Sequence, residues 1–203
     1  MMRAWLLIVF LGITLLHAAP PDNAASALSA FGRSDWKNAK TGFEEWLKQR
    51  PEDPAAMANL GITEYHLGNK PRALELLRKA VRLAPEAAPA WLVLGMIHFE
   101  KEELDAALAA LSQAVLYEPG NAQAHNFLGV TIGLKGWRDG AERELQKAVE
   151  LDPNYGDAHF NLAVFYLERN PPAVELARRH YEKARDLGQS ADALVEKRLN
   201  EAK

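Results

Sequence analysis

Histidine is the side chain here best suited to chemistry, since imidazole changes charge near neutral pH and is the commonest metal ligand. The chain has six histidines, five of them beyond its N-terminal segment: His66, His98, His125, His159 and His180. A helical zinc site sets two histidines four residues apart. No pair here has that spacing. His125 and His159 occupy matching positions 34 residues apart, which predicts neighbouring helices about 10 Å from each other. Carboxylates are abundant, but Glu44-Glu45 and Glu102-Glu103, like Arg178-Arg179, read as solvated faces. No HExxH, GxSxG, phosphate loop or GxGxxG occurs. There is no cysteine, hence no thiolate nucleophile, disulfide, Cys-ligated metal or lipid-modified cysteine. The expectation is a chain that is not an enzyme and carries no cofactor and no metal.

Composition agrees with a folded protein: 203 residues, 48% hydrophobic and 25% charged. Lys and Arg number 24 against 27 Asp and Glu, a net charge of −3. Nucleic acid demands a basic stripe that neutralises phosphates, and the sequence has no such run. Met1-Met2-Arg3 precedes an apolar run from Ala4 to Leu16 and then His17-Ala18-Ala19. A positive end, an apolar centre and small residues describe a secretory signal peptide. The run is short of the about 20 residues that span a bilayer. Residues 1–19 are therefore expected to direct export to a periplasmic or extracellular location, with the segment cleaved or kept as an anchor. The small cysteine-free exported chain leans bacterial.

The rest of the chain repeats. Trp91, Leu94-Gly95, Ala107, Leu111, Ala114 and Pro119 mark the most complete copy. Leu60-Gly61, Ala73, Leu77, Ala80 and Pro85 precede it, and Leu128-Gly129, Ala141, Leu145, Ala148 and Pro153 follow it, each in step by 34 residues. A fixed period of this size marks a stacked array. The first copy is degenerate, with Ala39, Phe43 and Pro51 in register, Ala27 in place of glycine and Trp46 in place of alanine. The fifth has Leu162-Ala163, Ala177, Tyr181 and Ala184, with two residues added around Asn170-Pro171-Pro172 and Gln189 for the closing proline. Terminal repeats are commonly atypical because one face lacks a neighbour. The boundaries read 20–53, 54–87, 88–121, 122–155 and 156–191, followed by a capping helix over 192–203 with Ser190 as its N-cap.

Each unit reads as two helices, because apolar residues recur at three- and four-residue steps: Trp91, Leu94, Ile97, then Leu104, Leu108, Leu111, Val115. Breaks fall at Leu67-Gly68-Asn69, Glu102-Glu103 and Lys135-Gly136-Trp137. Pro71 and Pro172 suit first helical turns, and Pro85, Pro119 and Pro153 end second helices. Gly61, Gly95 and Gly129 sit mid-helix, at a cost of about 1 kcal/mol against alanine. Close packing of the first helix on the second would offset it.

These landmarks resemble the tetratricopeptide repeat family over about residues 20–191. The chain departs from the pattern at Glu64, His98 and Ile132, where the family favours Tyr, and at His125 and His159, where it favours Trp. No subfamily is singled out. The resemblance implies an all-α right-handed solenoid of about five helix pairs, whose first helices line a concave groove that holds a peptide or helix of another protein. Members that grip a C-terminal carboxylate use Lys, Arg and Asn there, whereas only Asn126, Gln123 and His66 are suitable in this chain.

If each glycine faces the partner helix, the positions three before it and one, four and five after it face the groove. The protein-binding set is then Ile62, Tyr65 and His66; Leu92, Met96 and Phe99; Asn126, Val130 and Leu134; and Phe160, Val164 and Leu167. Ala58, Glu100, Gly133 and Glu168 share these positions. Met and aromatic side chains suit adaptable interfaces, and the opposing expectation is that many of these groups pack on the next repeat. Two functions follow: an adaptor, scaffold or assembly factor that binds an amphipathic helix or apolar peptide, or a self-associating structural array in the cell envelope. Neither needs nucleic acid, and the membrane enters only through the N-terminal segment.

Overall fold

The computed structural model describes residues 24–201; residues 1–19, read above as an export signal, lie outside them. The described residues form helices and turns without strands. Five antiparallel pairs follow in order: α1 (Ala24–Gly32) with α2 (Trp36–Gln49), α3 (Pro54–His66) with α4 (Lys70–Leu83), α5 (Ala88–Glu100) with α6 (Leu104–Tyr117), α7 (Ala122–Leu134) with α8 (Arg138–Leu151), and α9 (Gly156–Leu167) with α10 (Val174–Asp186). Helix α11 (Ala193–Glu201) packs on α9 and α10. The protein is an all-α solenoid.

The glycines bring the two helices of a unit together. A Cβ built on Gly95 would stand 2.5 Å from Cγ of Leu111, and one on Gly61 2.7 Å from Cγ of Leu77. Leu77 and Leu111 are fully buried, so neither has room to withdraw. The first unit reverses the arrangement. Ala27 carries the methyl and Gly42, on the opposite helix, leaves the space: a Cβ there would meet that of Ala27 at 2.6 Å.

Turn chemistry also follows the period. Gly68 and Gly136 hold φ of 82° and 83°, and Ser34 and Glu102 adopt φ of 57° and 58° at the same register. Each sits just beyond a first helix, where the left-handed conformation ends it. Prolines open three helices, α3, α4 and α5, in their first turns. Two sequence expectations are corrected here. Pro172 lies outside α10, whose N-cap is Ala173, because residues 168–173 form a longer turn in which the Ala173 N–H donates to the Tyr166 carbonyl at 2.9 Å. Asp192, not Ser190, caps α11: its Oδ1 accepts from the N–H groups of Leu194 and Val195 at 3.0 and 2.9 Å. Asp192 lies nearer the apolar pair Val195 and Leu199 that docks α11 on the fifth unit.

Successive first helices touch one another, α3 on α5, α5 on α7 and α7 on α9, while second helices form no comparable row. The row that packs closer lies on the inside of the curve. The first helices therefore present the inner face.

Candidate functional site

The inner face is built from positions that differ widely in freedom. Ile62, Leu92 and Leu167 are buried, at 8%, 7% and 2% exposure, and spend their side chains on the cores between units. Met96, Phe99, Val130, Phe160 and Val164 are half-buried against those cores. Leu134 stands 61% exposed at the end of α7. It neighbours Lys135, which pairs with Asp105 and lies 5.4 Å over the exposed Trp137 ring.

The N-terminal part of the face is locked by specific contacts. His66 is exposed and stacks on Trp36, ring centres 4.1 Å apart and 7° from parallel. Tyr65 donates its hydroxyl to Glu100 Oε1 at 2.6 Å, and Lys70 reaches Glu100 Oε2 at 2.5 Å. Burial, followed by that carboxylate, pushes the Tyr65 hydroxyl well above its ordinary pKa. Glu64, buried behind this face, pairs with Lys40 at 2.9 Å and accepts from Asn69 at 3.1 Å.

The C-terminal part opens into a cavity of about 220 Å³ between α5, α7 and α9. Phe99, Asn126, Val130 and Phe160 from the predicted set line it, joined by Phe127, Tyr155, Asp157 and Asn161. Phe99 and Phe127 meet edge to face, with centres 5.8 Å apart. Along the polar wall, Asn161 Nδ2 donates to Asn126 Oδ1 at 2.9 Å, and Asn126 Nδ2 donates to the Tyr155 hydroxyl oxygen at 3.4 Å. Burial, then Asp157, pushes Tyr155 up to about 12. The four added residues escaped the sequence reading for distinct reasons. Phe127 and Asn161 sit two residues before Gly129 and Ala163, one step off the assumed stripe. Asp157 belongs to the first turn of α9 and Tyr155 to its N-cap position. Tyr155 did carry a signal, since Asp53 and Asn121 hold the same register and cap their helices through side-chain oxygens.

The histidines serve the scaffold. Trp91 Nε1 donates to the Pro85 carbonyl at 2.7 Å, and His125 and His159 reach the carbonyls of Pro119 and Pro153 through Nε2 at 3.0 and 3.2 Å. Histidine thus takes over a hydrogen bond that tryptophan makes one unit earlier. His125 Nδ1 lies 2.6 Å from Glu144 Oε2. Both its ring nitrogens face acceptors, so the imidazolium is favoured, and the Glu144 contact raises the His125 pKa. His159 Nδ1 instead meets His180 Nδ1 at 2.9 Å. Burial lowers both, that of His180 to about 4 with the neighbouring His159 adding to it, and the pair shares one hydrogen bond as neutral rings. His98 Nδ1 lies 2.5 Å from Glu103 Oε2. Among the described residues no group of three metal-ligating side chains converges.

Three sequence profiles, each described as tetratricopeptide repeat, match residues 24–88, 71–129 and 144–194. The chain is similar in structure to a crystal structure of MamA, at 25% identity and a TM-score of 0.66, over 79% of this chain and 93% of that one. MamA MSR-1 matches at 25% identity and a TM-score of 0.65, over 81% and 94%. MamA from residue 41 to its end, from Desulfovibrio magneticus RS-1, shares the fold at 24% identity with a TM-score of 0.68, over 86% of this chain and 100% of that one. No curated protein sequence matches significantly.

Proposed function

The chain belongs to the tetratricopeptide repeat family, and from that premise we propose that it is a scaffold whose inner face holds an amphipathic helix or apolar peptide of another protein. One observation carries the reading. Phe99, Val130 and Phe160, on three successive first helices, are half-buried around one open cavity rather than sealed into a core. Large apolar groups at that spacing suit anchors at helical intervals or alternate residues of an extended chain. The buried members of the predicted set, Ile62, Leu92 and Leu167, hold the units in register beneath them. Tyr65, tied to Glu100, contributes shape rather than a free hydroxyl.

The test is affinity capture from an envelope fraction with the wild-type chain and with Phe99→Ala and Met96→Ala. Both variants should keep the helical spectrum and weaken a captured partner by more than about 1 kcal/mol each. Leu94→Ala is the control for core loss and should cost about 2–5 kcal/mol of stability. If both inner-face variants unfold as Leu94→Ala does, these residues are core. If they fold and bind normally, the partner sits elsewhere. Size measurement on the same samples decides whether the captured partner is a second copy. The envelope fraction follows from reading residues 1–19 as an export signal, and recovery of the chain with Met1 intact from the cytoplasm would move the search there.

A further inference from the structure

We infer that the cavity between α5, α7 and α9 takes one phenol ring, the side chain of a tyrosine in the bound partner segment. This rests on the groove reading above and adds which side chain the groove selects. Size comes first. The cavity measures about 220 Å³, and an apolar cavity of about 150 Å³ already holds benzene. A ring with one substituent fits, while a serine or threonine side chain would leave much of the space empty.

The walls come second. Phe99, Phe127 and Phe160 surround the opening, and aromatic rings favour edge-to-face or offset contact with another ring. An aliphatic side chain would fill the volume but leave the polar wall unmet. That wall is specific. Asn126 is 4% exposed, and among the described residues its amide uses one N–H, toward Tyr155, and its oxygen, toward Asn161. Its second N–H has no partner there. The Tyr155 hydroxyl accepts from Asn126 and donates to no described residue, and Asn161 keeps its carbonyl oxygen. A buried donor left unpaired is costly. The wall thus offers three donors, the remaining N–H groups of Asn126 and Asn161 and the Tyr155 hydroxyl, and acceptors in the Asn161 oxygen and the Asp157 carboxylate, beside three aromatic rings. A phenol hydroxyl both accepts and donates, and meets such a set. An indole N–H only donates and would leave the Asn126 amide unmet.

Charge narrows the choice further. Asp157 lines the cavity and no Lys or Arg does. A carboxylate or a phosphorylated ring would be repelled. The occupant is an unmodified phenol.

The probes are p-cresol, toluene, p-tolyl phosphate and the blocked tripeptide acetyl-Ala-Tyr-Ala-amide, titrated into the wild-type chain by protein NMR with side-chain amide resonances followed. p-Cresol should shift the Asn126 and Asn161 amides and bind roughly five- to tenfold tighter than toluene, the factor of one net hydrogen bond. p-Tolyl phosphate should not bind, and the tripeptide should bind at least as tightly as p-cresol. Tyr155→Phe and Asn161→Ala, both checked for an unchanged helical spectrum, should remove the preference for p-cresol while toluene binding persists. Equal binding of toluene and p-cresol would overturn the role of the polar wall. Binding of p-cresol without the tripeptide would overturn the assignment to a partner's tyrosine. Failure of every probe, with Phe99→Ala still weakening a captured partner, would remove the phenol pocket and leave the groove. Intact probe binding with an indifferent Phe99→Ala capture would remove the groove, and the partner tyrosine with it.

Discussion

Gly95→Ala tests the physical basis of the array. An exposed mid-helix glycine replaced by alanine gains about 1 kcal/mol from backbone propensity alone. At Gly95 the new Cβ would lie 2.5 Å from Leu111 Cγ, 2.7 Å from Leu111 Cδ2 and 3.3 Å from the Leu111 backbone nitrogen. Carbon atoms at rest stand about 3.5–4.0 Å apart, so α5 and α6 must part by about 1 Å or Leu111 must leave its rotamer. Leu111 is fully buried among Ala107, Ala114, Ala124 and Leu128, which closes the second route. Overpacking of this kind costs about 1–3 kcal/mol. Set against the propensity gain of about 1 kcal/mol, that range leaves a net change from about zero to a loss of about 2 kcal/mol, and the 2.5 Å contact places Gly95→Ala on the losing side. Urea denaturation followed by circular dichroism measures it.

A second variant separates clash from accident. Leu111→Ala alone should cost about 2–5 kcal/mol through the cavity it leaves. In Gly95→Ala with Leu111→Ala, the new methyl group occupies part of that cavity. The double variant should then be more stable than the sum of the single losses by more than about 1 kcal/mol. A Gly95→Ala protein more stable than the wild type, or a pair of losses that simply add, would refute the claim that glycine is there to admit Leu111.

Two further outcomes follow from the turns and the histidines. Glu102 is exposed and held at φ 58° where Gly68 and Gly136 occur in other units; Glu102→Gly should raise stability by up to about 1 kcal/mol in the same assay, and a loss would show that its side chain matters. The His159–His180 pair makes the chain less stable in mild acid: an unfolded histidine binds its proton near pH 6.5, the folded His180 not until about 4, so between those values the unfolded state holds more protons and stability falls as pH falls. Thermal melts at about pH 7 and about pH 5 should show a smaller loss for His180→Gln than for the wild type. The raised pKa of His125 acts in the other direction, its contribution being present below the ordinary value and lost as pH rises through the folded one.

The repeat, its helices and the close approach of the glycine-bearing helix to its partner were legible in the sequence because they depend on local periodicity, whereas the leucines that fill the space opposite Gly61, Gly95 and Gly129 came from the structure. A landmark recurring every 34 residues constrains one turn, one helix face and one close approach, and each is settled within a single unit. The stripe of positions assigned to the inner face was read from the same period. Burial along that stripe was not. Leu92 and Leu134 both occupied stripe positions, yet one is 7% and the other 61% exposed, because Leu92 lies in the body of α5 where the next unit covers it, while Leu134 is the last residue of α7. The cavity lies still further from the sequence. Its lining comes from three first helices and the loop before α9, and Asn126 meets Asn161 across 35 residues of chain. Likewise His159 finds His180 because α9 packs on α10. A period read along the chain determines what each unit is, and only the stacking of units decides which side chains from different ones face each other.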